Sequence, residues 1–345
     1  MANIIIIFFI SALGIINLIG IQTYYAYRQL IFLLLGLVVY LLTKKFNLLL
    51  KQITPVIFWL IWLLNLSLLF FGEEIKGAKR WISLGFFNLQ PSEFLIIFYI
   101  FYISLLFNKD DLELKPVIYF LHGLGITAVS FIVIFLQPDF TTATNLIPIF
   151  ITALFFSKIP KKIIISAVLV STLSFPVLWG SLKDYQKNRI IHFFSAFNES
   201  TSEKSYNSKQ AEIALGSGRF IGKGIGRSTQ SKLFFLPESH TDFAFASFVE
   251  QTGLIGGVFL IILYAIFIYN LIFSVIKKGN IGQLSSYIGL THLCLAVYLS
   301  YRVIINIAMN LNLFPIAGIP LPLFSYGGSA FIALLLSIGL LELKE

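Results

Sequence analysis

Long apolar runs, each divided from the next by a polar stretch, dominate the chain. They fall at roughly 3–20, 29–43, 55–71, 92–107, 117–136, 144–157, 163–180, 244–275, 284–310 and 324–341. A helix needs about 20 mostly apolar residues to cross a bilayer. Several of these runs are shorter, which is tolerated where a helix packs against protein or lines a cavity instead of facing lipid. The pattern predicts an all-α polytopic membrane protein of about ten transmembrane helices. One polar stretch is much longer than the rest, about 181–243, and is expected to form a large extracytoplasmic loop between the seventh and eighth helices. Residues 1–345 read as one integral membrane domain, with no internal repeat of the kind that marks many transporters.

Composition supports this reading. Hydrophobic residues make up 57% of the chain and charged residues 12%, against about a quarter charged in soluble proteins. The net charge of +9 could suggest nucleic acid, but in a membrane chain basic residues gather in cytoplasmic loops and set orientation. With a cytoplasmic N-terminus, the inner side holds Lys44, Lys45, Lys51, Lys109, Lys115, Lys158, Lys161, Lys162, Lys277, Lys278 and Lys344. The short outer loops then hold only Arg28, Lys76, Lys79 and Arg80. No nucleic-acid partner is expected. The single cysteine, Cys294, excludes a disulfide framework and a thiol metal site. The first run has no basic stretch ahead of it and no small-residue cleavage site, so it reads as a retained helix.

In a bundle this poor in charge, ionisable groups at membrane depth are functional candidates by default. Glu93, Asp139, Asp242 and Glu250 lie at the start of a span or inside one. A structural ion pair is the competing reading for each. Glu93 and Asp242 also stand just ahead of apolar runs, where a carboxylate caps a helix favourably. The stretch Gly216-Ser217-Gly218-Arg219-Phe220-Ile221-Gly222-Lys223-Gly224-Ile225-Gly226 looks like a phosphate loop but lacks the nucleotide-binding spacing and the Ser or Thr after Lys. Its backbone amides beside Arg219, Lys223 and Arg227 could instead hold a lipid-linked diphosphate, or form a plain flexible loop. Ser239, His240 and Asp242 are too close in sequence for a hydrolase triad, and nothing completes a zinc site around Glu238, His240 and Asp242. The prolines in Gly318-Ile319-Pro320-Leu321-Pro322-Leu323-Phe324-Ser325-Tyr326-Gly327-Gly328-Ser329 cannot continue a helix. That stretch is predicted to be kinked or re-entrant and to place Ser325 and Tyr326 on a cavity wall.

Taken in order, these segments resemble the SEDS family (shape, elongation, division and sporulation), which includes RodA and FtsW. The matching residues are Gly77-Ala78-Lys79-Arg80-Trp81, Gln90-Pro91-Ser92-Glu93, Gln137-Pro138-Asp139, Gly216-Ser217-Gly218, Gly222-Lys223-Gly224-Ile225-Gly226, Thr229-Gln230, Leu236-Pro237-Glu238, His240-Thr241-Asp242-Phe243 and Pro320 to Ser329. Any one is weak; together they span most of the chain. Asn306-Ile307-Ala308-Met309-Asn310 and Gly318-Ile319-Pro320-Leu321-Pro322 are closer to the RodA branch. Three positions depart from the family pattern. Ile96 stands where the family often has Lys, Glu250-Gln251 replaces a Glu-Glu pair, and Phe140-Thr141-Thr142 replaces the more usual Leu-Gly-Thr.

The resemblance implies a peptidoglycan glycosyltransferase that polymerises lipid II on the outer side of the bacterial cytoplasmic membrane, for cell-wall elongation and rod shape. The sugar 4-hydroxyl of one lipid-linked disaccharide attacks the anomeric carbon of another, and undecaprenyl diphosphate leaves. Because a diphosphate needs no proton to depart, one general base suffices, unlike the two carboxylates of most glycosidases. By resemblance the base is Asp242, with Arg80 and Lys223 facing the diphosphate and Glu93 orienting substrate or assisting the base. Gln90, Asp139, Gln230, His240, Ser325 and Tyr326 complete the implied substrate site. A divalent cation, Mg²⁺ or Mn²⁺, is the one cofactor implied as an option; no resident metal ligand and no organic cofactor are expected. The implied partners are a class B penicillin-binding protein transpeptidase and the elongation machinery. The competing readings are a lipid II flippase, which needs polar groups through the whole membrane depth, and a non-catalytic scaffold for the transpeptidase.

Overall fold

The computed structural model describes residues 2–75, 78–85, 87–109, 115–167, 202–276, 284–316 and 318–342. Three helices follow one another almost without a break: α1 (Ala2–Ile21), α2 (Thr23–Lys45) and α3 (Asn47–Phe71). Two begin earlier than the hydropathy runs. The polar first turns, Thr23 to Arg28 and Asn47 to Gln52, carry the helix beyond its apolar stretch, and α3 accommodates Pro55 in its interior. On α2 the buried positions Ala26, Gln29, Phe32, Leu33, Gly36, Tyr40 and Thr43 recur at helical spacing and face α11 (Gly328–Leu341). Gly36 permits the close approach, since a Cβ there would lie 2.4 Å from Leu335 Cδ1.

The segment after α3, between two hydropathy runs, forms a small antiparallel sheet in the order β1 (Glu73–Ile75), β2 (Ala78–Ser83), β3 (Asn88–Leu89). It leads into α4 (Pro91–Leu106), where proline occupies the first turn, a position whose missing N–H costs nothing. Nearly every residue of α4 is buried, which explains how a 16-residue helix suffices. Around it pack α3, α5 (Pro116–Leu136), α7 (Leu146–Phe156), α10 (Tyr287–Asn310) and α11, with the short α6 (Phe140–Thr144) ahead of α7. The core therefore sits around α4 and α10.

Residues 161–167 are helical, while most of the expected span 163–180 lies outside the described residues. Within the expected outer loop, Ser202–Gly218 forms helix α8, packed on α9 (Ala244–Ile276). The apolar moment that marks a buried helix is absent from its polar sequence, so hydropathy alone left it a loop. At 33 residues, α9 would run about 50 Å, well beyond a hydrocarbon core of about 30 Å. It is broken at Gly253, with φ 74°; a Cβ there would meet Phe220 O at 2.3 Å and Gly222 N at 2.4 Å. The loop after α8 is wedged into this break, with Leu254 N–H and Ile255 N–H donating to the carbonyls of Arg219 and Phe220.

Among the described residues six helices are long and apolar enough to cross a membrane, and Pro91–Leu106, Phe140–Phe156 and Gly328–Leu341 are shorter apolar helices. The protein is an all-α, multi-pass membrane protein. At one end Glu342 joins Lys44 at 2.6 Å and Tyr40 Oη at 2.7 Å. Burial works to raise the Glu342 carboxyl, but these two donors win and hold it below the ordinary glutamate value.

Candidate functional site

Asp242 lies two residues ahead of α9 in a tight turn that neighbouring elements hold by its backbone. The Asp242 carbonyl accepts from Asn306 Nδ2 and from Asn310 Nδ2, each at 3.0 Å. Asn310 Oδ1 also accepts from the Ala246 N–H at 3.0 Å, satisfying one free donor at the start of α9. Asn306 Nδ2 reaches the Ile319 carbonyl as well, at 2.7 Å. The Ser325 hydroxyl donates to Thr241 O at 2.6 Å, and the Tyr326 N–H donates to His240 O at 2.9 Å. Two asparagines of α10 and two residues of the Pro-rich segment thus fix the backbone on both sides of Asp242. Its carboxylate Oδ2 lies 3.8 Å from where a Cβ of Gly318 would sit, and Gly318 has a φ of 64°. The backbone at 318–327 is non-helical, as the two prolines predict, and it borders the Asp242 carboxylate.

An aromatic group flanks the same turn. The His240 ring stacks on Tyr25 at 4.1 Å, and Tyr326 lies 5.1 Å from Tyr25 and 5.7 Å from His240. Tyr25 belongs to the polar first turn of α2 and Arg28 to the second turn, its guanidinium donating to Tyr24 Oη at 2.9 Å. Gln29 on the same helix accepts from the Gly327 N–H at 3.2 Å. The start of α2 is therefore part of the site's rim, a role that sequence reading did not assign to it.

The other expected residues divide into three groups. Arg80 on β2 pairs with Asp139 at 3.2 Å, and Gln90 Nε2 donates to the same Asp139 oxygen at 2.8 Å. The Gln90 N–H donates to Ser329 Oγ at 2.9 Å, at the head of α11. Glu93, in the first turn of α4, is buried and takes both terminal nitrogens of Arg302, one at 3.0 Å, while Tyr298 Oη also meets it at 3.2 Å. Ile96, the family's departure, is fully buried in the core. The cation opposite Glu93 comes from α10 instead of from α4. Arg302 was missed, although a lone arginine inside the apolar run 284–310 is itself a signal.

Glu250 forms the third group. It is completely buried, and Lys223 Nζ, the Thr229 N–H and the Gln230 N–H reach its Oε1 at 2.8, 2.8 and 2.9 Å. The Ser231 N–H and hydroxyl reach Oε2 at 3.2 and 2.9 Å. Lys223 and Gln230 are thereby tied to Glu250. The structural ion pair, one of the two readings open for these carboxylates, describes Glu250 fully.

Helix geometry relates the groups. Arg302 precedes Asn306 by one turn on α10, about 6 Å, so the Glu93 pair and the Asp242 turn are joined through that helix. Ser325 and Ser329 join the Asp242 turn to the Arg80–Asp139–Gln90 group along the segment entering α11. Glu250 stands two turns beyond Asp242 on α9, about 12 Å away. Among the described residues no set of three or more His, Cys, Asp or Glu could hold a metal ion. The described side chains alone therefore form no cage for a divalent cation.

Such an arrangement, a partly buried carboxylate in a braced turn at one end of a helical membrane bundle, defines a membrane protein with a polar chemical site at the bundle rim. The FTSW_RODA_SPOVE family, described as cell cycle protein, matches residues 1–343. "Probable peptidoglycan glycosyltransferase FtsW" of Nitrosococcus halophilus is 32% identical over 332 residues, covering 93% of this chain and 83% of that protein. "Peptidoglycan glycosyltransferase MrdB" of Escherichia coli is 34% identical over 279 residues, covering 78% and 71%. The chain belongs to the FtsW/RodA/SpoVE family and is a glycosyltransferase. Its fold resembles a solved structure described as "Structural coordination of polymerization and crosslinking by a peptidoglycan synthase complex", with TM-score 0.75, 23% identity, and 99% and 96% coverage. Thermus thermophilus rod shape determining protein RodA gives TM-score 0.68 at 23% identity, covering 99% of this chain and 94% of that one.

Proposed function

We propose that this protein polymerises lipid II into peptidoglycan glycan strands, with Asp242 as general base. The carrying observation is the Asp242 turn itself, whose backbone is held by Asn306, Asn310, Ser325 and Tyr326. Bracing the backbone leaves the carboxylate's position defined, which is what a general base requires. The carboxylate accepts the proton of the sugar 4-hydroxyl as that oxygen bonds to the anomeric carbon of the second lipid-linked disaccharide. The anomeric C–O bond to the diphosphate breaks, and the diphosphate departs with the electron pair. Its negative charge is the part of the transition state that positive groups at the rim must stabilise.

Glu93 acts through Arg302 and α10 as a positioning residue, holding the helix that carries Asn306 and Asn310. Asp139, Gln90 and Arg80 brace the approach from the sheet. The excess of basic residues on the opposite side supports an outward-facing site in the bacterial cytoplasmic membrane. The matched relatives include both FtsW and MrdB proteins; the Asn306–Asn310 and Gly318–Pro322 stretches support the elongation and rod-shape role. The partner we propose is a class B penicillin-binding protein transpeptidase.

The test is to purify the protein with its cognate transpeptidase, add lipid II, and resolve the products on a gel. Glycan ladders are expected. Their absence with an active partner, alongside lipid II flipping in liposomes, would replace polymerisation with transport.

A further inference from the structure

The two cations that sequence reading sets against the diphosphate are both engaged elsewhere. Lys223 is bonded to the fully buried Glu250 at 2.8 Å, and Arg80 pairs with the buried Asp139 at 3.2 Å. A cation beside a buried carboxylate has its charge compensated, and an arriving phosphate must compete with that carboxylate for it. Neither is therefore well placed to neutralise a phosphate that comes and goes with each turnover. Arg302 is bound to Glu93 and buried, so it is equally committed.

Arg28 differs from all three. It is half-buried on the second turn of α2, and among the described residues no carboxylate stands within ion-pair distance of it. Its guanidinium is held by neutral aromatic groups: it donates to Tyr24 Oη at 2.9 Å and lies 5.3 Å from the Tyr24 ring centre. It also interacts electrostatically with Tyr326, whose N–H is bonded to His240 O, two residues from Asp242. An arginine fork restrained by aromatic neighbours, half-buried and free of a competing carboxylate among the described residues, suits bidentate binding of phosphate oxygens. Stacking and a single phenolic hydrogen bond orient the side chain without cancelling its charge.

We propose that Arg28 is the diphosphate-binding cation of this site, presented by α2 beside the Asp242 turn. The inference rests on the proposed polymerase reading and adds a residue and a role to it. Tyr24 and Tyr326 set the side chain's direction, and Arg80 and Lys223 serve the fold instead of the ligand.

The test reads binding and needs no turnover. The full-length protein in nanodiscs of phosphatidylcholine is titrated with undecaprenyl diphosphate and with undecaprenyl monophosphate, for the wild type, Arg28→Gln, Arg28→Met, Arg80→Gln and Lys223→Gln. Wild type should prefer the diphosphate, and both Arg28 variants should lose that preference by about tenfold or more, the scale of one charge-assisted contact. Arg80→Gln and Lys223→Gln should melt lower and keep the preference. Because Arg28 is only half-buried and strands no carboxylate among the described residues when it is replaced, its two variants should melt close to the wild type, and the pair guards against one of them folding poorly. A wild-type preference that survives in both Arg28 variants overturns this inference and leaves the polymerase reading standing. A wild type that binds the two lipids equally contradicts the diphosphate site altogether.

Discussion

Removing the Glu250 carboxylate should loosen one segment of the outer region far more than the bundle. In Glu250→Ala the N–H groups of Thr229, Gln230 and Ser231, the hydroxyls of Thr229 and Ser231, and the Lys223 ammonium lose their common acceptor. A buried donor left unpaired costs about 1–3 kcal/mol, and water reaching the opened segment recovers part of that for Thr229, which is exposed. With three backbone donors orphaned, the expected loss is about 3–5 kcal/mol, the range seen when one partner of a buried charge pair is deleted. Lys223→Met should cost much less, about 1 kcal/mol or under, because its side chain is 25% exposed and the five other donors still hold Glu250. Hydrogen exchange read on peptides covering 223–235 measures this directly, with a peptide from α4 as an internal control. Glu250→Ala should speed exchange of the 229–231 amides by two orders of magnitude or more, at about 1.4 kcal/mol per tenfold, and leave α4 unchanged. Equal protection in the variant would refute the view that this one carboxylate organises the loop.

Two other ion pairs carry testable outcomes. Arg302→Met should destabilise the protein by about 3–5 kcal/mol by stranding buried Glu93, and adding Glu93→Gln should recover a good part of it; thermal melts of the two single variants and the double variant measure the coupling. At the other end, the Lys44 and Tyr40 donors hold Glu342 below its ordinary value. Their contribution is present above the unfolded carboxyl pKa of about 4.3 and fades as pH falls through the lower folded value. Wild type should therefore melt above Glu342→Gln near neutral pH, and the difference should shrink toward zero in acid. A gap that widened in acid would reverse the assigned sign.

Hydropathy located the spans because lipid-facing helices must be apolar on the outside, and α1, α5 and α9 follow their runs closely. It misplaced the starts of α2 and α3, since a polar first turn at the membrane surface is still helical. The sheet at 73–89 and helix α8 carry no apolar periodicity of their own; tertiary packing makes them, and composition cannot reveal it. The carboxylates at membrane depth were legible from the energetic penalty they carry, and Glu93, Asp139 and Glu250 all occupy buried ion pairs. Their partners were less so. Arg302 lies 209 residues from Glu93, and Lys223 lies 27 residues from Glu250, so no local spacing connects them. The same gap hid Arg28 and Tyr25, which hydropathy counts as a short outer loop and the fold brings beside His240 and Tyr326.

The central claim is that Asp242 removes the proton from the attacking hydroxyl. The direct measurement is the polymerisation rate from lipid II for wild type and Asp242→Asn, each purified with the transpeptidase, together with undecaprenyl diphosphate affinity for both. The account predicts a rate loss of about a hundredfold or more with affinity within a few-fold of wild type. Asp242→Asn that polymerises at a near-normal rate would contradict it.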